Sequence, residues 1–349
     1  MDNNGLVVAK YRLFLNGSEF NSDLISGVEE VTVEDEINLP TMFTVKFNIF
    51  DFEKGSWRGI DLDLFKPGDE IKVMMGIDDP VEMMVGEIAS LDLTFDQYSA
   101  MEIRGYDRLY RLRFGPRVRS FKDMKDSEIA ESIASEAGLT PQVDDTGTIQ
   151  TYLFQNNQNG YEFLRERANR LGYEMFVNNK NFIFRKSEEG RSQVTTLKFG
   201  VNLDSFNVEL RTLHEGNKVE VRGWDVKNKQ EITGMAAQGD ENSLMGSKLS
   251  GSALSQNAFS EAPIIITEES NIDENEAQNI AKARYNRLLR EFVTAEGKTG
   301  GNPVIRAGKN IRIDGIGERF SGIYYIVSSI HMIGSEGYIT KFKVKRTGI

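Results

Sequence analysis

Cysteine is absent from the 349-residue chain, which removes disulfides, thiolate metal sites and cysteine nucleophiles at once. Histidine is almost absent. His214 and His331 are the only two, too few for a multi-histidine metal site. No apolar run approaches the roughly 18 residues that a membrane helix needs, so no membrane insertion is expected. The first residues, Met1-Asp2-Asn3-Asn4-Gly5, carry neither the basic start nor the apolar stretch of a signal peptide. Synthesis and assembly in the cytoplasm are therefore expected. Positive charge is in deficit, with 42 basic against 53 acidic residues and a net charge of -11. Binding along a nucleic-acid backbone needs a concentrated Lys/Arg surface, so no nucleic-acid partner is expected.

What is present is a repeat. Pro67-Gly68-Asp69-Glu70-Ile71-Lys72-Val73 is followed by Gly86-Glu87-Ile88 and an alternating run to Arg104. Near the other end, Ala307-Gly308-Lys309-Asn310-Ile311-Arg312-Ile313 is followed by Gly322-Ile323-Tyr324 and an alternating run to Arg346. Upstream, Val31-Thr32-Val33-Glu34 and Phe43-Thr44-Val45 match Phe206-Asn207-Val208-Glu209 and Lys218-Val219-Glu220-Val221. Each copy reads as a strand pair, a Gly-led strand and a closing hairpin. Two similar units in one chain let a trimer present six similar faces.

Residues 7–107 read as β throughout. Val8 to Leu15 alternate before Asn16-Gly17, a two-residue hairpin turn in which both positions tolerate positive φ. Asn16-Gly17-Ser18 also spells a glycosylation sequon, but without a secretory signal the turn is the better reading. Between 116 and 190 the period changes. Asp126 reads as the N-cap of a helix burying Ile129, Ala130, Ile133, Ala134 and Ala137, stopped by Gly138. Asn159 and Glu162 read as a capping box for a helix burying Phe163, Leu164, Ala168 and Leu171, stopped by Gly172. Tyr173 to Phe184 then turns at Asn178-Asn179-Lys180. The stretch 234–262 is rich in Gly, Ser, Ala and Asn with little periodicity, the mark of a functional or mobile loop. Ser270-x-x-Asp273 reads as a capping box for a helix with Ala277, Ile280, Ala281, Tyr285, Leu288, Leu289 and Phe292 as its stripe.

The fold class expected is mainly β with an α+β insert, holding two related β-barrel modules per chain as a pseudo-repeat. Closure into barrels removes the exposed edges of short strands. The expected division is a first β-barrel module at 1–115, an α+β insert at 116–193 and a second β-barrel module at 194–349. The last contains a loop insertion at 234–270 and a helix at 272–292.

Chemistry is hard to find. Gly297-Lys298-Thr299 is similar to the tail of a phosphate-binding loop, but Phe292 stands where its first glycine belongs. Gly315-Ile316-Gly317 lacks the third glycine and the helix of a dinucleotide site and reads as a turn. The acidic runs Glu29-Glu30, Glu34-Asp35-Glu36, Glu268-Glu269 and Asp273-Glu274 read as solvated strand faces and helix starts. Asp61-x-Asp63 lacks the rest of a calcium loop. His331 lies inside an alternating strand with no serine or carboxylate arrangement nearby and reads as structural, while His214 reads as an exposed turn residue. Trp57 and Trp224 read as packing anchors rather than sugar platforms. No catalytic, cofactor-binding or metal residue is assigned, and no cofactor is expected.

The chain resembles the phage late control D proteins, baseplate hubs of contractile tails, and the matching N-terminal half of VgrG proteins of type VI secretion. The residues that carry this are Pro67-Gly68-Asp69 to Val73, Gly86-Glu87-Ile88, and Tyr161-Glu162-Phe163-Leu164-Arg165-Glu166-Arg167-Ala168 with Leu171-Gly172-Tyr173. Ala307-Gly308 to Ile313, Gly322 to Val327, and His331 with Tyr338-x-Thr340-x-Phe342 complete the set. The resemblance spans nearly the whole chain. It implies a homotrimeric, pseudo-hexameric hub that joins a hexameric inner tube to a trimeric spike, with other baseplate proteins as further partners. VgrG proteins continue into an OB-fold and a β-helical needle, whereas this sequence stops at Ile349. The resemblance then implies a spike on a separate chain, or a spike part that has been removed. No hydrolase segment is present, so an enzyme is not expected. Residues 203–234 and 308–346, with 28–50 and 70–105, are the expected ring-forming and tube-contacting surfaces, and 116–190 is expected to face outward. Two rivals come from other classes: a cell-wall glycosidase working through the acidic runs, and a carbohydrate-binding or adhesin protein using Trp57 or Trp224.

Overall fold

Alternating apolar and polar residues in the front strands become one buried face and one wet face. The computed structural model describes residues 9–51, 56–57, 63–96, 99–225, 228–270 and 272–349. The front third forms β1 (Ala9–Leu15), β2 (Ser18–Glu19), a short helix α1 (Ser22–Gly27), β3 (Val28–Glu36) and β4 (Met42–Asn48). It continues through β5 (Phe50–Asp51), β6 (Ser56–Trp57), β7 (Glu70–Ile77), β8 (Val81–Thr94) and β9 (Ala100–Tyr106). Val31, Val33, Phe43, Val45, Phe47, Ile71, Val73, Met101 and Ile103 fill its core at alternate positions of their strands. Burying side chains of this size contributes about 1.5–3 kcal/mol apiece. The Asn16-Gly17 turn has φ of 49° and 84°, as a two-residue hairpin requires.

The middle third follows a 3-10 helix (Arg108–Arg113) with β10 (Arg117–Lys125), α2 (Asp126–Glu136), β11 (Thr140–Val143) and β12 (Ile149–Gln158). Then come α3 (Gly160–Leu171), β13 (Tyr173–Asn178) and β14 (Asn181–Lys186). Its core is separate, built on Ile129, Ile133, Phe163, Leu164, Phe182 and Phe184. The capping box holds: Asn159 Oδ1 accepts from Glu162 N at 2.8 Å, and Gly172 closes α3 with φ 69°. Asp126 does not cap. It is the first residue of α2, after Lys125, and its buried carboxylate faces the Arg167 guanidinium instead. An ion partner in the core draws the side chain away from the helix start.

The rear third holds β15 (Gln193–Lys198), β16 (Ser205–Leu210), β17 (Lys218–Asp225), β18 (Gln230–Ala236), α4 (Gly251–Phe259) and β19 (Pro263–Ser270). It ends with α5 (Glu274–Leu289), β20 (Val293–Gly300), β21 (Asn310–Asp314), β22 (Gly322–Gly334) and β23 (Gly337–Arg346). Strand makes up 50% of the structure and helix 19%, so the protein is mainly β. A sheet of thirteen strands runs through both ends of the chain.

That sheet carries the repeat in its hydrogen bonds. Gly68 N donates to Ile88 O at 2.8 Å and Ile88 N to Asp69 O at 2.9 Å. In the rear, Gly308 N donates to Ile326 O at 2.9 Å and Ile326 N to Lys309 O at 2.8 Å. Both long strands then slip register at the same step, between Ile88 and Ser90 in β8 and between Ile326 and Ser328 in β22. The order β3-β4-β9-β8-β7 is matched by β16-β20-β23-β22-β21. Val31–Glu34 therefore does correspond to Phe206–Glu209.

Phe43–Val45 does not correspond to Lys218–Val221. The counterpart of β4 is β20, because both pair with the strand that returns from the long hairpin arm. Lys218–Val221 belongs to β17, in a separate sheet β18-β17-β19 that packs on α5 through Val219, Val221, Ala277, Ala281, Tyr285 and Leu289. In the rear module, residues 211–292 thus stand where the front module has only 37–41 between β3 and β4.

The expected loop 234–262 is only partly a loop, with regular structure at its start and over 251–259. It includes the end of β18 and all of α4, capped by Ser250, whose Oγ accepts from Ala253 N at 3.2 Å. Its small residues mark close packing: a Cβ on Gly251 would lie 2.4 Å from the Phe292 ring. Helix α5 starts at Glu274 with Asp273, not Ser270, as its cap; Asp273 Oδ1 accepts from Glu276 N at 2.7 Å.

Each module sets an aromatic ring over a glycine in the neighbouring strand, and the roles swap between copies. Phe43 in β4 is paired with Gly105 in β9, whereas Gly297 in β20 is paired with Phe342 in β23. A Cβ at Gly105 would lie 2.3 Å from the Glu87 carbonyl and 2.4 Å from the Phe43 ring. Gly105→Ala is expected to destabilise by about 1–3 kcal/mol through overpacking, read as a lowered urea midpoint. Gly300→Ala, where a Cβ meets nothing within 4 Å, should stay within about 0.5 kcal/mol. Equal effects at the two sites would refute the packing account.

Candidate assembly surfaces

The two modules meet along one strand pair. The second half of β22 runs antiparallel to β3, with Ser329 opposite Asp35, His331 opposite Val33 and Ile333 opposite Val31. The inward positions of β22 there are Ser329, His331 and Ile333, so polar groups sit in a closed seam. Asp35 pairs with Arg306, accepts from the Ser329 hydroxyl, and accepts from Ala307 N at 3.2 Å. Burial alone would raise the Asp35 carboxyl. The Arg306 charge and the Ser329 hydroxyl outweigh it and hold the carboxyl below its ordinary value.

His331 is 0% exposed. Its Nε2 lies 2.9 Å from the Ile305 carbonyl, which only an N–H can satisfy, and 3.2 Å from Ser329 Oγ. Its Nδ1 then offers one lone pair, with the Tyr338 and Thr340 hydroxyls both at 3.1 Å. Burial and the nearby Arg306 charge push the imidazole down to about 4. A serine and a carboxylate do accompany this histidine, contrary to the expectation from sequence. The serine stands between the other two groups, and all three are buried, so the trio orders a seam.

The other joint is a cavity of about 580 Å³ between the middle third and α5. Arg290 pairs with Glu189 at 2.6 Å and faces Glu174 at 3.8 Å, while the Tyr325 hydroxyl donates to Glu174 at 2.6 Å. Burial raises the Glu174 carboxyl and Arg290 pulls it back. With Arg290 of the rear third facing Glu174 and Glu189 of the middle third, the cavity is a joint between folded units. Further ties run from the middle third to both modules, as Tyr161 Oη to Asn38 O at 2.8 Å and Arg185 to Gly308 O at 3.2 Å.

Over residues 6–335 the chain matches the family described as the Alg8 N-terminal domain. It belongs to that family. No curated protein matches it. Among solved structures it is similar to the 43 kDa tail protein of prophage MuSo2 from Shewanella oneidensis. The two share 13% identity and a TM-score of 0.72, covering 97% of this chain and 98% of that one. The tail protein from Neisseria meningitidis MC58 gives 13% identity and a TM-score of 0.70, covering 97% of each chain. The E. coli c3393 protein, described as a component of the type VI secretion system, gives 11% identity and a TM-score of 0.63, covering 96% of this chain and 77% of that one. At such identities the likeness is one of fold. The family's fold, as seen in this chain, is thus shared with phage tail and type VI proteins, without singling out late control D hubs.

In this family member one face of the run β16-β20-β23-β22-β3-β4-β9-β8 carries charged pairs on either side of an uncharged stretch at Ser328, Ile330 and Met332 in β22. Glu296–Lys343 at 3.0 Å, Lys46–Glu30 at 3.1 Å and Arg104–Glu102 at 2.5 Å lie on it. Exposed pairs of this kind stabilise by only about 0–1 kcal/mol each, so they shape a surface more than they hold a fold. The run ends at β16 on one side and at the second half of β8 on the other.

The other residues singled out from sequence scatter. Gly297-Lys298-Thr299 lies within β20, and Gly315 and Gly317 are turn residues with φ 83° and 81°. His214 is exposed between β16 and β17, and Trp224 is half exposed rather than a packed anchor. Asp61 and the side chains of Trp57, Glu268 and Glu269 lie outside the described residues. Among the described residues no three acidic or histidine side chains are grouped to hold a metal ion, and no helix is long and apolar enough to cross a membrane.

Proposed function

We propose that the chain is the structural baseplate hub of a phage tail or contractile injection device, of the late control D and VgrG type. Three copies form a ring that joins a hexameric inner tube to a trimeric spike. The observation that supports this most directly is the matched strand order of the two modules. A chain with two equivalent units offers six similar positions per trimer, which removes the mismatch between threefold and sixfold partners. The eight-strand run supplies an extended sheet surface, with charged pairs on its flanks, for such a ring.

On this reading the chain divides into a module at 1–115, an outward-facing insert at 116–193 that meets other baseplate proteins, and a module at 194–349. The strands within 28–50, 70–105, 203–234 and 308–346 form the ring and meet the tube. The work is symmetry matching and force transmission, with no chemistry assigned to any residue, and assembly takes place in the cytoplasm. Sedimentation equilibrium tests it. The purified protein is expected near three times 39.4 kDa, and a stable monomer at micromolar concentration would sink the proposal.

A further inference from the structure

The chain contains one worked example of how two modules join, and two surfaces that repeat only half of it. In the β22–β3 seam, Val33 and His331 are 0% exposed and Ile333 is 6% exposed. By the matched hydrogen bonds and slips, β8 is the counterpart of β22, and β16 is the counterpart of β3. At the positions equivalent to His331 and Ile333, Leu93 and Phe95 are 42% and 61% exposed. Phe206 and Val208, equivalent to the buried Val31 and Val33, are only partly covered. Strand β16 pairs with β20 alone among the described residues. Past Ile88, β8 pairs with β9 alone among the described residues, because β7 begins at Glu70, opposite Glu87.

We propose that β16 of one copy pairs antiparallel with Ser90–Thr94 of β8 in a second copy, reproducing the internal seam between chains. This rests on the hub reading for the identity of the partner and adds the strands and the register. Transferring the β22–β3 register through the module equivalence sets Ser90 opposite Arg211, Leu91 opposite Leu210 and Asp92 opposite Glu209 of the second copy. Leu93 then faces Val208, and Thr94 faces Asn207. The residues on the core side are apolar in both partners, as a shared seam demands. A slip of one residue would set each of them against a polar neighbour. Asp92 opposite Glu209 is a like-charge pair, but each has an arginine nearby, Arg104 being shared with Glu102. Arg211 pairs with Glu209 at 2.6 Å, and Arg104 lies close enough to Asp92 to feel its charge. An exposed strand edge is otherwise a template for aggregation. A second copy also satisfies the backbone groups of both edges at once, which a side-chain contact cannot do.

The absence of native cysteine makes the register directly measurable. Thr94→Cys and Asn207→Cys are combined in one full-length chain; both side chains are exposed, so folding should be unaffected. Directly opposed residues in an antiparallel pair have Cα atoms about 4.5–5.5 Å apart, within disulfide range. With oxidised glutathione as the oxidant, the expected product on a non-reducing gel is covalent dimer and closed trimer. The Thr94→Cys, Val208→Cys chain places the two thiols on opposite sheet faces and should give at least tenfold less. A protein that sediments as a trimer without cross-linking at 94 and 207 overturns the seam and leaves the hub reading standing. Covalent polymers longer than a trimer support the seam and overturn the closed threefold ring. A monomer that neither associates nor cross-links overturns both.

Discussion

Replacing Asp35 by Ala is expected to remove about 3–5 kcal/mol of folding stability, since removing one partner of a buried ion pair strands the other. The carboxylate is the common acceptor of the seam. It faces the Arg306 guanidinium, takes the Ser329 hydroxyl on the same oxygen that Ala307 N approaches, and is buried. Without it, Arg306 keeps only the Met83 carbonyl, at 2.8 Å. Ser329 and Ala307 lose their acceptor. Arg306 retains some access to water, which places the expected cost toward the lower end of the range. Asp35→Asn keeps the shape and one acceptor oxygen and should cost less, about 1.5–3 kcal/mol as a charge-assisted bond is lost. The check is a urea titration of the three proteins. A lowered midpoint with unchanged slope is expected; a cost under about 1 kcal/mol for Asp35→Ala would show that strand pairing alone holds the seam.

Asp35 also shows where a linear reading fails. The run Glu34-Asp35-Glu36 reads as a wet acidic strand face, yet its middle member turns inward. Its partners, Arg306 and Ser329, lie almost a whole chain away, and no local spacing announces them. His331 carried a better signal. Ser329, His331 and Ile333 share one face of a strand by period two, so a polar pair at inward positions was visible. What they would meet depended on register.

The repeat was legible where pattern and packing agree. Val31-Thr32-Val33-Glu34 and Phe206-Asn207-Val208-Glu209 share alternation and share a place in the sheet. The next match failed because the rear copy moves its bulk across the strand pair. Ala295 and Gly297 stand where the front copy has Phe43 and Val45, and the volume returns as Phe342 and Val344 on the adjacent strand. Lys218-Val219-Glu220-Val221 alternates more cleanly and so drew the match away. Period two shows that a strand has a buried face; it does not say which sheet receives it. Similarly, small residues in 234–262 look like loop composition, although Gly251, Ser252 and Ala253 are small because α4 lies tight against its neighbours.

His331→Gln should change the acid sensitivity of the fold more than its stability at neutral pH. The imidazole titrates near 6.5 in an unfolded chain but near 4 in the seam. Between those values the unfolded state binds the extra proton, so folding stability falls as pH falls. The His331 contribution is complete above pH 6.5 and is lost as pH drops through 4, a swing of about 3 kcal/mol. Asp107 works in the opposite sense. Burial pushes its carboxyl up to about 7 against donors from Thr41 N and Leu109 N. Its contribution is therefore present below its unfolded value and lost as pH rises through 7. Asp35, held low, acts only below its unfolded value near pH 4, outside most of the window. These opposing slopes leave the wild-type curve shallow, and the difference between wild type and variant isolates the histidine. Gln can keep the donor to the Ile305 carbonyl but offers nothing to the Thr340 and Tyr338 hydroxyls. The variant should thus be less stable by about 1–2 kcal/mol at pH 7.5. As pH falls from 6.5 toward 4 the gap should close and then reverse, because only the wild type must exclude a proton from the seam. Urea midpoints at four pH values would show it. A constant gap across the range would mean that the ring titrates alike in both states, and a neutral imidazole with Nδ1 as acceptor in the seam would be wrong.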